Sequence, residues 1–230
     1  MTEESNGGVG QRIPLSRQRV VLTAVAVADE MGVEALTMRK VADRLGVEAM
    51  SLYHHVSGKS AMLDGMVDAV FAEIDPPEPN ASWREGLRQR AESVRAALLR
   101  HPWAVGLVES RAHPGPATLR HHDSAIGVLR EAGFSIPMTA HAVSVLDSYI
   151  YGFVLQEINL PFNDSTDIET VATDIRNAMP VDEYPHLSAF IAEHALQPGY
   201  AYADEFTYGL DLILDGLTTR MTRPPNSAGR

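Results

Sequence analysis

Apolar residues recur every three or four positions along most of the chain, which is the pattern of amphipathic helices. Gly32 and Gly46 interrupt the pattern early, and Thr37 is well placed to cap a helix that begins beside it. The helices predicted before residue 75 span 16–31, 37–45, 48–55 and 59–74. Since no run of residues alternates as a strand does, the pattern predicts an all-α fold.

A proline-rich segment, 75–82, divides the chain. It holds three prolines in four positions, which cannot continue a helix, and ends at Ser82, a good cap for the next one. The helices predicted beyond it span 83–99, 102–110, 117–132, 136–158, 168–178, 186–195 and 200–221. We therefore expect a disordered arm (1–14), a helical head (15–60) with a linking helix (59–74), a larger helical domain (75–221) and a disordered tail (222–230).

Charge is unevenly distributed between these parts. The chain has 19 basic and 30 acidic residues, a net charge of −11, which excludes a protein that coats nucleic acid with its whole surface. Residues 11–59 hold seven basic residues against five acidic, whereas residues 60–230 hold twelve against twenty-three. A mildly basic head on an acidic body suits a protein that touches DNA with one end, although chance unevenness is an alternative.

Several classes of protein are excluded by composition and motif. Cysteine is absent, so there is no disulfide framework, thiolate zinc site or cysteine nucleophile. No segment has the ~20 apolar residues of a membrane helix, and the N-terminus lacks the features of a secretory signal. Enzyme and nucleotide-binding motifs are also missing. We expect a cytoplasmic protein that is not an enzyme, has no cofactor and does not associate with membranes.

Residues 36–59 have the pattern of a helix-turn-helix, a short capped helix and a glycine turn followed by a second short helix. In that second helix Leu52 is expected to be buried with Val56, and Met50, Tyr53 and His54 are expected to face outward with Ala49. A B-DNA major groove is about 12 Å wide and accepts one such helix. The alternative is that these short helices are only part of a helical bundle.

The amino-acid sequence of this segment closely resembles that of the DNA-binding head of the tetracycline-repressor family of bacterial transcription regulators. The matching phrases are Leu-Thr-x-Arg-x-Val-Ala-x-x-Leu-Gly-Val at 36–47 and Leu-Tyr-x-His-Val at 52–56, with Lys59 opening the following helix. The resemblance extends more loosely over 83–157, where His101-Pro-Trp103, Ser110-Arg111 and Tyr149-x-x-Gly152-Phe-Val-Leu-Gln-Glu157 are similar to the family's ligand-binding and dimerisation domain.

The resemblance implies a DNA-contacting role for nine residues. Arg39 and Lys59 can neutralise phosphates, whereas Ala49 and Met50 offer only apolar contact, for example to a thymine methyl group. Tyr53 could instead be a half-buried aromatic of the head core, and both histidines could simply be solvated. The nine candidates are Thr37, Arg39, Ala49, Met50, Ser51, Tyr53, His54, His55 and Lys59.

The resemblance also implies a homodimer with a small-molecule cavity in each larger domain. Helix 136–158 is apolar on nearly every side and helix 200–221 has an apolar stripe, so two copies can form a four-helix bundle, although burial within one monomer is an alternative. The candidate ligand contacts are Trp103, Ser110, Arg111, His122, Ile126, Tyr149, Phe153 and Gln156. Adjacent histidines on one helix point about 100° apart, so His121 and His122 do not predict a metal site.

One departure from the family concerns its best-known ligand. Tetracycline repressors bind a magnesium–drug chelate through a histidine and a water-mediated glutamate. Counting without gaps, those positions fall at Leu107 and Gln156, which cannot do this, although a shift of one residue would place Glu157 there. The sequence therefore predicts a homodimeric repressor that binds a palindromic operator and is released by a ligand other than tetracycline. The alternatives are an activator or partner-controlled regulator with the same head, and a helical enzyme that processes small molecules.

Overall fold

The structure is a computed structural model that describes residues 14–161 and 165–222. Within these residues there are ten α-helices and no strand, which confirms the predicted all-α fold. The helices α1 to α10 span Arg17–Met31, Met38–Leu45, Ala49–Leu52, Lys59–Phe71, Trp83–Arg100, Pro116–Glu131, Ile136–Asn159, Ser165–Ala178, Pro185–Phe190 and Asp204–Thr222. The predicted arm and tail lie outside the described residues, except that Pro14 is described and Thr222 ends α10.

Local capping explains where several helices begin. The side chains of Ser16, Thr37, Ser82 and Ser135 each accept a hydrogen bond from the backbone N–H three residues later, at 3.2 to 3.3 Å. The predicted role of Thr37 as a helix cap is therefore confirmed. Gly46 ends α2 in the left-handed region, with φ of 68°, which a glycine adopts without steric cost.

The predicted helix at 102–110 is wrong. Only a 3₁₀ turn at Pro102–Ala104 forms there, and irregular turns continue to Ser110. The backbone bonds of this stretch mostly span three residues, as in the bond from the Leu107 N–H to the Ala104 carbonyl, and proline and glycine both weaken an α-helix. Three other predicted helices are shorter than expected, since α3 ends at Leu52, α4 ends at Phe71 and α10 begins at Asp204. The helix predicted at 186–195 is divided into α9 and a π-helical turn at Ile191–Ala195.

The head has its own apolar core, formed by α1, α2, α3 and the first half of α4. Leu52 and Val56 are buried in it, as predicted, together with Leu36 and Val41 at the start of α2. Gly65 of α4 lies so close to α1 that a Cβ there would be 2.7 Å from Val21 Cγ2. The first half of α4 is therefore packed tightly into the head.

The second half of α4 packs against the body. Met62 and Met66 belong to the head core, whereas Phe71 packs with Ala117 of α6 and Val70 joins the larger core formed by α5, α6, α7 and α10. One helix thus contributes to both cores. Among the described residues, no helix combines the length and apolarity needed to cross a membrane.

Candidate nucleic-acid interface and ligand cavities

The nine predicted DNA-contacting residues lie on α2, on the segment 49–55 and at the start of α4. Six of them are exposed and three are half-buried, the latter being Ala49, Ser51 and His55. Tyr53 is exposed and takes no part in the head core, so the structure places its ring at the surface. The Thr37 hydroxyl accepts the capping bond from the Lys40 N–H with one lone pair and keeps its proton for a further partner at the exposed start of α2.

The cations of the head differ in whether they are already paired. Arg44 forms an ion pair with Glu30 of α1. Arg39 and Lys59 are exposed and have no ion-pair partner within the described part of the chain. Lys59 is also the first residue of α4, where unpaired backbone N–H groups favour an anion. These two side chains are available to bind phosphate.

A cavity of about 490 Å³ lies where α4 ends. We call it the linker cavity, because the proline-rich segment after α4 forms one wall, and α5 and α6 form the others. The lining residues are Phe71, Ala72, Ile74, Asp75, Pro76, Pro77, Arg90, Ala117, Arg120, His121, Asp123 and Ser124.

Arg90 is the central polar group of the linker cavity. It is only 3% exposed, and its Nη2 donates to Asp147 Oδ1 on α7 at 2.7 Å. Its Nε donates to His121 Nε2 at 3.1 Å, which leaves the imidazole proton on Nδ1. Burial, together with the positive charge of Arg90 and the proximity of His122, lowers the pKa of His121 to about 3. His121 is therefore a neutral hydrogen-bonding group at physiological pH.

A second cavity of about 560 Å³ lies along α7, and we call it the α7 cavity. It is lined by Glu109, Ile126, Ile136, Thr139, Ala140, Val143, Ser144, Asp147, Ser148 and Tyr151. The hydroxyls of Thr139 and Tyr151 are buried, that of Thr139 has no hydrogen-bond partner among the described residues, and that of Tyr151 interacts with Glu109 in the same cavity. Burial raises the pKa of Tyr151, and the nearby Asp147 charge adds to this effect, so the phenol stays protonated. Because Asp147 pairs with Arg90, one ion pair joins the walls of the two cavities.

Two predicted ligand contacts, Trp103 and Arg111, instead lie where the body meets the head, and a third, Ser110, has only a local bond. The Trp103 indole donates to Asp29 Oδ1 of α1 at 2.6 Å. Arg111 Nε donates to Asp64 Oδ1 of α4 at 2.6 Å. Ser110 is exposed, and its hydroxyl donates to the carbonyl of Leu107.

Three others join α7 to α10 and the segment before it. The Tyr149 hydroxyl donates to the backbone carbonyls of Glu205 and Phe206, and Gln156 accepts a 2.6 Å hydrogen bond from Tyr202. Phe153 stacks on Tyr202, with ring centroids 4.9 Å apart. The ring of His122 lies against Phe71. Of the eight candidates, only Ile126 lines either of the two cavities.

The polar residues that do line the cavities were not among the candidates predicted from the sequence. Thr139, Asp147 and Tyr151 all line the α7 cavity, and at 3.6 residues per turn they spread over about 120° of one side of α7. That polar stripe on an otherwise apolar helix was a usable signal. Arg90 and His121 had no such signal, since their pairing joins α5 and α6. In the described residues no group of three or more histidine or acidic side chains is placed to hold a metal ion.

Taken together, a helix-turn-helix head with exposed cations and a helical body with two cavities define a DNA-binding regulator of the ligand-responsive class. Comparison with known proteins agrees with this class. Residues 21–66 match the family model of bacterial regulatory proteins of the tetR family, and residues 76–221 match that of the tetracyclin repressor-like C-terminal domain.

Individual relatives span most of the chain. The HTH-type transcriptional repressor DrrR1 of Streptomyces coeruleorubidus is 32% identical over 220 residues, covering 90% of this chain and 79% of its own. An HTH-type transcriptional regulator of Saccharopolyspora erythraea is 35% identical over 175 residues, covering 76% and 74%. The crystal structure of the Streptomyces coelicolor TetR family protein ActR in complex with (S)-DNPA has a TM-score of 0.74 and 25% identity, covering 90% of this chain and 99% of that one.

This chain belongs to the tetR family and is a DNA-binding transcription regulator. The relatives that it matches are regulators rather than enzymes.

Proposed function

We propose that the protein is a homodimeric repressor that binds a palindromic operator in the cytoplasm and is released when a small molecule occupies the cavities of its body. The observation that carries this proposal is the position of α4. Lys59 begins this helix at the exposed end of the head, and Phe71 ends it in the wall of the linker cavity. Its 13 residues span about 20 Å. An occupant of the cavity therefore touches the same helix that presents a phosphate-binding lysine.

Polar contacts connect α4 to the body along its length. Arg111 pairs with Asp64, and its Nη2 also donates to the Ser60 hydroxyl at 2.7 Å. One turn further on, Asp68 accepts hydrogen bonds from the backbone and hydroxyl of Thr118 on α6. A ligand that moves α6 would move α4 through these contacts. Ligand and operator are coupled if each prefers a different position of α4.

The cavities favour a largely apolar ligand with a few oxygen atoms. Their walls are mainly apolar, and the buried Thr139 hydroxyl lacks a partner that a ligand oxygen can supply, while the protonated Tyr151 hydroxyl beside Glu109 lies in the same wall. The neutral His121 and the paired Arg90 add hydrogen-bonding capacity without net charge at that point.

Apolar side chains exposed on α7 and α10 support the dimer. Val145 and Leu212 line a shared groove of about 320 Å³, and both are about half exposed in the single chain. Leu212→Glu should give a monomer by light scattering and weaken binding to a full palindrome. Leu119→Glu on α6 changes a side chain of similar exposure, 56% against 58%, and should leave the dimer intact.

The proposal is tested first by measuring how operator binding depends on salt. Duplexes selected from a random library, and the DNA upstream of the gene, should bind tightly, with affinity falling steeply as salt rises. Arg39→Ala and Lys59→Ala should each reduce the slope of log affinity against log salt concentration by about one, because one fewer counterion is released. Arg176→Ala, on α8 of the body, removes the same charge and should leave this slope unchanged. Equal binding to selected and random DNA would contradict the proposal.

The control by a ligand is tested by release of that DNA. Compounds that displace the selected duplex should bind in the cavities, and Tyr151→Phe should raise the concentration needed for release. Transcription from the operator in a purified system separates repression from the second candidate, activation. If no compound that binds the cavities changed DNA affinity, control by a small molecule would be ruled out.

A further inference from the structure

The segment expected to enter the major groove exposes a methionine. Met50 is 72% exposed, more than any other large hydrophobic side chain in the described residues. Leu52, two positions later, is completely buried in the head core. The packing of α3 therefore directs Met50 away from the protein. A methionine thioether is only a weak acceptor and donates nothing, so the contact it can make is apolar.

The surroundings of Met50 are polar and cationic. Tyr53 and His54, which follow it closely, are exposed. Arg39 and Lys59, which have no ion-pair partner among the described residues, bring two positive charges from the neighbouring helices against the one negative charge of the exposed Glu48 at the start of α3. α3 packs against α2, and both contribute to one core with the start of α4. The partner of this surface is therefore an anion that carries an apolar group at the position of Met50.

Double-stranded DNA has one such group on the floor of its major groove, the C5 methyl of thymine. We propose that Met50 reads thymine methyl groups, so that each half-site of the operator has a T·A pair where Met50 meets the bases. This inference depends on the proposed operator binding and adds the sequence that the head prefers. The phosphate-binding side chains hold the head on any sequence, and Met50 selects among sequences.

Replacing thymine by uracil tests this directly, because uracil lacks the methyl group and keeps every hydrogen-bonding group. In a duplex selected by the wild-type protein, each thymine is replaced in turn in both half-sites. At one position the affinity should fall about fourfold per half-site, which corresponds to ~0.8 kcal/mol for the burial of one methyl group. At thymines that Met50 does not touch, the affinity should stay unchanged.

Variants of the protein complete the test. Met50→Ala should bind the thymine and uracil duplexes equally, and Met50→Gln, which keeps the length of the side chain, should lose the preference for thymine as well. Lys59→Ala should weaken binding to both duplexes by the same factor, so that the fourfold difference between them is retained. Met50 is exposed, so these substitutions leave the head core intact.

Two results would overturn the inference while leaving operator binding in place. One is equal binding of the thymine and uracil duplexes by the wild-type protein at every position. The other is a fourfold difference that persists in Met50→Ala. Failure to select any duplex over random DNA would instead overturn the proposed operator binding, and this inference with it.

Discussion

Gly115, just before α6, provides a sharp test of how α4 is held to the body. A Cβ at this position would lie inside contact distance of the Asp68 carboxylate. The backbone itself does not require glycine, because its φ of −84° and ψ of 177° are ordinary extended values. Gly115→Ala should therefore act only by displacing Asp68.

The magnitude follows from what Asp68 does. Its Oδ1 accepts from the Thr118 backbone N–H at 2.8 Å and from the Thr118 hydroxyl at 3.0 Å, and Thr118 is only 6% exposed. Loss of a helix cap costs about 1 kcal/mol, and a hydrogen bond to a charged group contributes ~1.5–3 kcal/mol. Gly115→Ala should therefore lower the free energy of unfolding by about 3 kcal/mol.

Urea unfolding at one fixed protein concentration measures this change, since the stability of a dimer depends on concentration. Gly127→Ala is the matched control, because a Cβ at Gly127 in the same helix meets open space and alanine favours a helix by ~0.8–1 kcal/mol. The two identical substitutions should change stability in opposite directions. In an Asp68→Ala background the cost of Gly115→Ala should largely disappear. If the full cost persisted there, the reasoning would be refuted.

Three further predictions concern stability. The lowered pKa of His121 means that stability present above about pH 6.5 is lost as the pH falls, so between pH 7 and pH 5 the wild type should lose about 2 kcal/mol more than His121→Gln in urea unfolding. Gly65→Ala should cost about 1–3 kcal/mol in the same assay, because the new Cβ meets Val21, and equal stability would contradict the close α1–α4 packing. Arg111→Met should cost about 2 kcal/mol by leaving the half-buried Asp64 with only the exposed His113 nearby among the described residues, at 3.9 Å, and less in an Asp64→Leu background; additive costs would contradict the pairing.

The head could be predicted from the sequence because its signals are local. The cap at Thr37, the turn at Gly46 and the buried Leu52 each depend on neighbours within a few residues. The helix predicted at 102–110 fails for the opposite reason. His101 ends α5 and bonds to Asp29 and Glu73, which lie 72 and 28 residues away along the chain. Periodicity contains no information about such partners.

The difference between local signals and partners far along the chain also explains why most of the predicted ligand contacts do not line the two cavities. Trp103 and Arg111 looked like cavity residues because they are large side chains with polar groups in the matching region of the family. The structure gives them partners on α1 and α4, so they hold the head to the body. The polar residues of α7, in contrast, were visible in the sequence as a group on one side of a largely apolar helix. The role of Asp147 could not be predicted without the fold, because its carboxylate pairs with Arg90 on α5.

These contacts also indicate where a ligand signal would act. On the head side, α4 is held by apolar packing so close that Gly65 has no room for a Cβ beside Val21. On the body side it is held by the buried side chains of Val70 and Phe71 near its end, and by hydrogen bonds and an ion pair through Asp68 and Asp64. Close packing resists displacement on both sides, but the polar contacts, which can exchange with water, join α4 to the body. The head and α4 should therefore move as one unit, and the movement should occur between α4 and α6. Substitution of Asp68 should then change the ligand concentration that releases DNA, whereas Gly65→Ala should change stability alone.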